Sequence, residues 1–526
     1  MKILVSDPLA KEGIDILKKV KSFQVDEKAK LPPEELKKII KNYDAIVIRS
    51  GTKLTKDIVS NANNMKVIGR AGVGVDNVDV DAASLKGIVV MNAPGGNTIS
   101  TAEHAFSLLL SLLRNIPQAN ASMRKSLWER KKFMGSQGFG KKLGVIGMGR
   151  IGTEVAKRAI AFGMNVIAFD PYLSLEKAKE LNVEIVTLKK LFSESDCITI
   201  HTPLTNDTRH LISKNEFNIM KKGVRIVNCA RGGIVDEKAL LEAIKKGIVA
   251  GAALDVYEKS PPVNNPLVAL DCVVATPHLG ASTEEAQVSV AIDIAKQVRD
   301  ALLGKGYKNA VNLPVVDPEI LEIVKPYIDL AENLGKFQSQ TIAGRISQVN
   351  IKYSGEIAKY TLAPVTMGLV KGILTPILEE DVNYVNAQVI AKNRGIKIVE
   401  SKQEEAEEFS SLINVEVVTS KGKSEVAGTM FTEHDPRIVK VNDFYVDAVP
   451  SGYMMLTKHK DVAGMIGQIG TILGKNKINI AAMAVGRKKK GGEAITVINI
   501  DVAVKDKVLK EIKSAKNIKD VKLIKL

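Results

Sequence analysis

Three glycines, an arginine, an aspartate and a histidine carry the chemistry legible in this chain. Gly147, Gly149 and Gly152 stand in the run LGVIGMGRIG, residues 143–152. An apolar strand, Leu143–Ile146, leads into them, and a helical pattern, Thr153–Ala159, leads out. A second apolar strand, Val166–Phe169, follows and ends in Asp170. A GxGxxG run alone is a weak signal, and a flavodoxin-like turn that binds nothing competes with it. Inside a strand–helix–strand unit with a terminal acid it is the dinucleotide fingerprint. Gly147 permits the tight turn, Gly149 admits the pyrophosphate to the backbone, and Gly152 allows close helix–strand packing. The helix start with Arg150 and Ile151 offers free N–H groups to phosphate. Asp170 binds the ribose hydroxyls and repels a 2′-phosphate, so the expected cofactor is NAD.

Further polar residues follow the later strands of the same unit. Arg231 comes directly after the strand at Arg225–Cys229, where ligands bind in open α/β sheets. A guanidinium there grips a carboxylate or polarises a 2-oxo group. His278 follows the strand at Val273–Ala275. Its imidazole titrates near neutrality and can take a hydroxyl proton as hydride leaves the neighbouring carbon. Asp255 ends the strand at Gly251–Asp255. A lone strand-end histidine is more often structural; this set, in order after a fingerprint, reads as an active site. The other histidines are read as structural: His104 on a connecting helix, His201 at a strand end, His210 and His434 without a visible partner.

The elements that must position these groups alternate along the chain. Residues 1–98 hold short β-rich runs at Ile3–Ser6, Ala45–Arg49, Val67–Gly69 and Val89–Asn92, with amphipathic stretches such as Pro33–Lys41 between them. A long helix, Ser100–Leu113, leads into the nucleotide unit at 99–282. A helical run, Glu284–Leu303, carries the chain back in a return segment, 283–312. The nucleotide unit is thus inserted in the first, flavodoxin-like α/β unit, with a cleft between them. Residues 312–318 (Asn312 to Pro318) read as a linker. Residues 317–450 form a mixed α+β segment with a helix near Met367–Leu378. The last stretch, 453–526, reads βαββαβ, a ferredoxin-like sandwich of the kind used to sense small ligands.

Composition narrows the classes. With 526 residues, 45% hydrophobic and 25% charged, the chain has room for several globular domains. No apolar run approaches the roughly 20 residues of a membrane span, and Met1–Asp7 reads as a strand rather than a signal peptide. Cys197, Cys229 and Cys272 sit in apolar strand-like runs, as buried thiols of a reducing, cytoplasmic protein; no metal site is expected. The excess of 75 basic over 59 acidic residues, +16 overall, reads as a lysine-rich surface. The densest cluster, Arg487–Lys490, abuts Gly491-Gly492 as in a hairpin turn, and no basic–aromatic interleaving suggests nucleic acid.

Residues Gly147–Gly152, Asn228–Asp236, Gly251–Asp255 and Pro277–Ser282 together resemble the D-2-hydroxyacid dehydrogenase family. Val47–Thr52, Gly69–Asn77, Asn115–Ala119 and Trp128–Phe133 extend the match. The whole architecture resembles the long type, which acts on 3-phospho-D-glycerate at the entry to L-serine biosynthesis and carries an intervening domain and an allosteric ACT domain. That resemblance implies a substrate-binding domain at 1–98 and 283–312, an NAD-binding domain at 99–282, an intervening domain at 317–450 and an ACT domain at 453–526. It implies Arg231 on the substrate carboxylate and carbonyl, His278 as acid/base, and Arg49 and Arg70 on the phosphate. Arg130 would join them from a neighbouring subunit. Val73, Gly74 and Asn97 would line the substrate side. Arg150, Ile151, Asp170, Thr202, Cys229, Ala230, Asp255 and Gly280 would touch NAD. A homotetramer is implied, as is feedback by L-serine through His459, Asp461 and Asn479.

Two positions depart from the family pattern. Its catalytic glutamate precedes a Pro-Pro pair; here that place is Ser260, before Pro261-Pro262. Serine supplies no charge to orient His278 or raise its pKa, so the expectation is an active but impaired enzyme whose pH profile is displaced downward. Glu258, two residues earlier, is the nearest substitute in sequence. In the ACT domain Val462 and Ala463 replace an Arg-Pro pair, which loosens the turn and removes a charge. The competing readings are another 2-hydroxyacid dehydrogenase, such as a glyoxylate or hydroxypyruvate reductase, and a catalytically weakened NAD- and serine-binding sensor.

Overall fold

The computed structural model describes residues 1–314, 318–378, 381–406 and 408–526. Strands β1 (Lys2–Val5), β2 (Gln24–Glu27), β3 (Ala45–Ile48), β4 (Val67–Arg70) and β5 (Val89–Asn92) form a parallel sheet in the order β2-β1-β3-β4-β5. This is the flavodoxin-like order. Central strands such as Ala45–Ile48 are buried on both faces, as crossover helices require. The polar run Gln24–Glu27 gives no apolar signal because β2 is an edge strand, paired only with β1.

The helix Thr98–Arg114 carries the chain out of this sheet. The nucleotide unit follows with β6 (Lys142–Ile146), β7 (Asn165–Phe169), β8 (Glu184–Ile185), β9 (Cys197–Ile200), β10 (Val224–Asn228), β11 (Val249–Leu254) and β12 (Val273–Ala275). Their order, β12-β11-β10-β9-β6-β7-β8, is parallel throughout. It is the doubly wound Rossmann arrangement, reversing direction between β6 and β9. The helix Glu284–Leu302 returns the chain and buries Val290, Ile294 and Val298 against the first sheet's core. The NAD-type unit is therefore inserted in the flavodoxin-like one.

Part of the expected linker belongs to the first unit. The Asn312 side chain accepts from Val90 N and donates to Ser84 and Ile88. Val315–Asp317 lie outside the described residues, and Pro318, expected in the linker, opens the helix Pro318–Thr341. That helix and Ala363–Leu374 pack on a six-stranded sheet of β13 (Ile346–Gly355), β14 (Lys397–Gln403), β15 (Ser411–Thr419), β16 (Gly422–Met430), β17 (Pro436–Val441) and β18 (Phe444–Ala448). Only the β13–β14 pair is parallel. The helix expected over Met367–Leu378 is displaced: it starts at Ala363, with Pro364 in its first turn, and ends at Leu374. The last unit holds β19 (Tyr453–Lys460), β20 (Ile480–Arg487), β21 (Glu493–Ile500) and β22 (Ile518–Lys525) in the antiparallel order β20-β21-β19-β22, with two helices on one face. That is the ferredoxin-like sandwich. Arg487–Lys490 turn between β20 and β21.

Cys197 and Cys229 are buried free thiols, whereas Cys272 is half-buried. Burial pushes the Cys197 thiol up to about 11. No described helix is long and apolar enough to cross a membrane. Among the described residues, no cluster of His, Cys, Asp and Glu is arranged to hold a metal ion.

Candidate active site

The turn after β6 fits a dinucleotide. Gly147 has φ +92°, and a Cβ there would lie 2.7 Å from the His201 carbonyl oxygen. At Gly152 a Cβ would lie 1.9 Å from the Gly147 carbonyl oxygen, so helix and strand pack as only glycine allows. Over Gly149 the space is open. Gly149 is also the N-cap of the helix Arg150–Ala161 and brings no side chain to its free N–H groups, which are left for phosphate. Asp170 accepts from Met148 N at 2.7 Å and from Tyr172 N at 2.8 Å, which pins the acid at the end of β7. The buried Thr202 hydroxyl has no partner among the described residues. These features together suit NAD.

A cavity of about 240 Å³ opens between the two α/β units. Val73, Asn97, Ile151, Thr202, Cys229, Ala230, Arg231, Asp255, His278 and Gly280 line it. Thr101, His201, Pro203 and Ala281 line it too and were not singled out from the sequence. Among the described residues the buried Asn97 Oδ1 and Thr101 Oγ1 have no partner. Each is an acceptor or donor left to a ligand.

Asp255 organises the loop that carries His278. Its Oδ1 accepts from Thr276 Oγ1 at 2.6 Å and Leu279 N at 2.7 Å, and its Oδ2 accepts from Gly280 N at 2.9 Å. With both flanks tied down, His278 is held at φ +59°, a left-handed conformation that costs about 1–3 kcal/mol outside glycine. Part of the imidazole faces solvent. The walls of the cleft still desolvate it enough to lower its pKa; Asp255 opposes that shift, and Arg231 and Arg70 add to it. His104, expected to be merely structural, lies 3.2 Å from Asp255 Oδ1 and 3.3 Å from Thr276 Oγ1. It belongs to the floor of the site. His201 is half-buried, 2.9 Å from Thr199 Oγ1, and desolvation pushes its pKa down to about 4.

Three guanidinia converge on the substrate side. Arg70 ends β4, and its Nε is buried without a partner among the described residues. Burial, then the nearby charge of Arg231, with Arg49 adding to both, lowers it to about 10. Arg49 follows β3; its amide donates to Asp7 Oδ2 at 2.6 Å, and its Nη1 donates to the Pro8 carbonyl at 3.3 Å. Arg231 donates from Nε to Asp76 and from Nη1 to the Ala230 carbonyl. Gly74 lies beneath it. Positive charge gathered this closely on half-buried side chains suits an anion.

Some expected residues lie elsewhere. Arg130 is exposed on the stretch after the helix Ile116–Arg124, whose Glu129, Lys132 and Phe133 line a separate groove with Cys272 and Thr276. Ser260 is exposed. Glu258 is committed away from His278: its Oε1 lies 3.2 Å from His210 Nε2 and accepts from Glu237 N. His210 therefore does have a partner, in correction of the expectation. In the last unit His459 is buried with Nδ1 on the Lys460 carbonyl and Nε2 on Thr496 Oγ1. Asp461 accepts from Gly491 N and pairs with Arg487 at 3.2 Å, and Asn479 donates to Asp501.

Three family models match the chain in succession. Residues 106–280 match the NAD-binding domain of D-isomer specific 2-hydroxyacid dehydrogenases, 323–442 the D-3-phosphoglycerate dehydrogenase intervening domain, and 453–517 the ACT domain. D-3-phosphoglycerate dehydrogenase of Methanocaldococcus jannaschii is 47% identical over all of both chains, and that of Bacillus subtilis is 44% identical over all of this chain and 99% of its own. Among solved structures, a D-lactate dehydrogenase of Aquifex aeolicus in complex with NAD and lactic acid superposes with a TM-score of 0.52 at 30% identity. It covers 60% of this chain and 100% of its own. A glyoxylate reductase from Paecilomyes thermophila gives 0.55 at 31%, covering 59% and 98%. Identity that runs the full length, through the intervening and ACT domains as well as the cleft, means that the chain belongs to the D-3-phosphoglycerate dehydrogenase family.

Proposed function

We propose that this protein oxidises 3-phospho-D-glycerate to 3-phosphohydroxypyruvate with NAD, the entry step of L-serine biosynthesis. The observation that carries the reading is the buried, partnerless Nε of Arg70 among the charges of Arg49 and Arg231. A phosphate dianion on Arg49 and Arg70 satisfies that donor and offsets the clustered charge. Arg231 then holds the carboxylate and polarises the oxygen at C2. NAD held by the turn after β6 and by Asp170 would supply the hydride acceptor for C2, and His278 would take the hydroxyl proton as the carbonyl forms. Val73, Gly74 and Asn97 shape the pocket, whose size suits a three-carbon acid.

Full-length relatives named for this activity support the reading. A glyoxylate or hydroxypyruvate reductase has no use for a buried Arg70, and a decayed sensor has no need to keep both Arg231 and His278. The test is NADH oxidation with 3-phosphohydroxypyruvate beside unphosphorylated hydroxypyruvate. Preference for the phosphorylated acid by at least about 100-fold in kcat/KM, about 2.7 kcal/mol, is expected; equal rates refute the assignment.

L-Serine is the proposed inhibitor, held by Asp461, Asn479 and His459. The exposed apolar residues Ile116, Met123, Leu127, Trp128 and Met134, beside Arg130, support a homo-oligomer, proposed as a tetramer in which Arg130 serves the neighbouring cleft. Buried free thiols fit a cytoplasmic location.

A further inference from the structure

Asp76 lies on the loop after β4 in the substrate-binding unit. Its Oδ2 is 3.1 Å from Nε of Arg231, which follows β10 in the nucleotide-binding unit. The contact spans the cleft. The Asp76 side chain is 71% exposed and that of Arg231 28%, and an ion pair so open to water adds little to stability. What it fixes is a direction. Asp76 holds Nε, and Nη1 donates at 2.7 Å to the Ala230 carbonyl. Two of the three guanidinium nitrogens are thus tied, and the fork is oriented before a ligand arrives. Gly74 makes the approach possible: a Cβ there would lie 2.0 Å from Nη2 of Arg231 and 2.7 Å from Oδ2 of Asp76.

The distribution of charge agrees. The charged groups acting on His278 come from every side of the cleft: Asp255 at the end of β11, Arg231 after β10, and Arg70 and Asp76 from β4 and its loop. Asp255 already serves Thr276, Leu279, Gly280 and His104. Ser260 brings no charge, and Glu258 serves His210 and Glu237. Asp76 remains as the carboxylate that pairs with Arg231 from the opposite unit, and its charge acts on His278 at the cavity that Arg231 and His278 share.

We infer that Asp76 is a positioning residue: reaching across the cleft, it aims the Arg231 guanidinium at the substrate and supplies to His278 a negative charge that Ser260 does not. This rests on the roles proposed for Arg231 and His278. Asp76 itself touches no reacting atom.

Asp76→Asn keeps the shape and removes the charge. The full-length protein, labelled with ¹³C at histidine Cε1, is titrated without ligand; the His278 signal is identified by its loss in His278→Gln. Asp76→Asn is expected to lower the His278 pKa by about half a unit or more, leaving the other histidines in place. With NADH and 3-phosphohydroxypyruvate, kcat falls about tenfold while KM changes less than about threefold, and Asp76→Glu recovers part of the loss. NADH binding followed by fluorescence stays unchanged, which separates positioning from misfolding. An unmoved His278 titration overturns the inference, as does an unaltered kcat. Absence of turnover in the native protein refutes the proposed function instead, and the ligand-free titration still decides the place of Asp76.

Discussion

Glu258 and His210 stand 3.2 Å apart, Oε1 to Nε2, at the start of the helix Glu237–Lys245. The pairing draws Glu258 toward that helix, and position 260, where the family pattern has its glutamate, holds an exposed, uncharged serine. Ser260→Glu returns a carboxylate to the loop. A negative charge near His278 favours the imidazolium and raises its pKa. Reduction of the keto acid needs that imidazolium, so activity is full below the His278 pKa and is lost as pH rises through it. In the native protein this loss is expected below the usual histidine range, because the cleft and its arginines lower the pKa. In Ser260→Glu the descending limb moves upward by about one unit, with a gain in kcat at neutral pH. A pH series of kcat/KM for both proteins checks this; identical limbs and rates would exclude a role for position 260.

The phosphate role proposed for Arg70 predicts that its loss separates phosphorylated from unphosphorylated substrates. Arg70→Leu removes the buried guanidinium and is expected to lower kcat/KM for 3-phosphohydroxypyruvate by about 100-fold or more, chiefly through KM. Reduction of unphosphorylated hydroxypyruvate should change less than about threefold. Parallel losses on both substrates would assign Arg70 to the fold rather than to the phosphate.

Gly152 leaves no room for a side chain against the Gly147 carbonyl. Gly152→Ala forces the turn and the helix apart. An overpacking cost of about 1–3 kcal/mol, spent at the turn proposed to hold the pyrophosphate, predicts an NAD complex weaker by about 5- to 150-fold. Isothermal titration with NAD measures it; native affinity in this variant would show that the close approach does not matter.

Glu332 ties the helices of the intervening domain. Burial alone would raise its carboxyl, but hydrogen bonds from Lys371, Lys336 and Tyr384 hold it down to about 2. A depressed folded pKa stabilises fully above the unfolded value, near 4.3, and the benefit is lost as pH falls toward 2. Glu332→Gln is therefore expected to cost about 2 kcal/mol at pH 7 and almost nothing at about pH 1, below the folded pKa. Denaturant unfolding at both pH values tests the sign; an equal loss at both would point to packing instead.

The sequence by itself determined what depends on local pattern. The fingerprint at 147–152, the apolar strands on which Arg49, Arg70, Arg231, Asp255 and His278 end, and the βαββαβ order of 453–526 are periodic and short-range, and they are legible residue by residue. The edge strands β2 and β8 were not, because strands paired on one side need no apolar run. The helix Ile116–Arg124 was missed for want of a strong periodic face, and Pro318 looked like a linker because proline serves equally well as the first residue of a helix.

Only the tertiary structure decided which side chains meet. Asp76 reaches Arg231 across 155 residues, His104 meets Asp255 from the connecting helix, and Asn383 donates to the Gly87 carbonyl to seat the intervening domain on the first unit. Such contacts join elements that are distant in sequence and are set by how two sheets and their crossovers pack. A strand end can be read from hydrophobic spacing, but the charge that acts on a histidine is a sum over everything within a Debye length, and that sum exists only once the chain is folded.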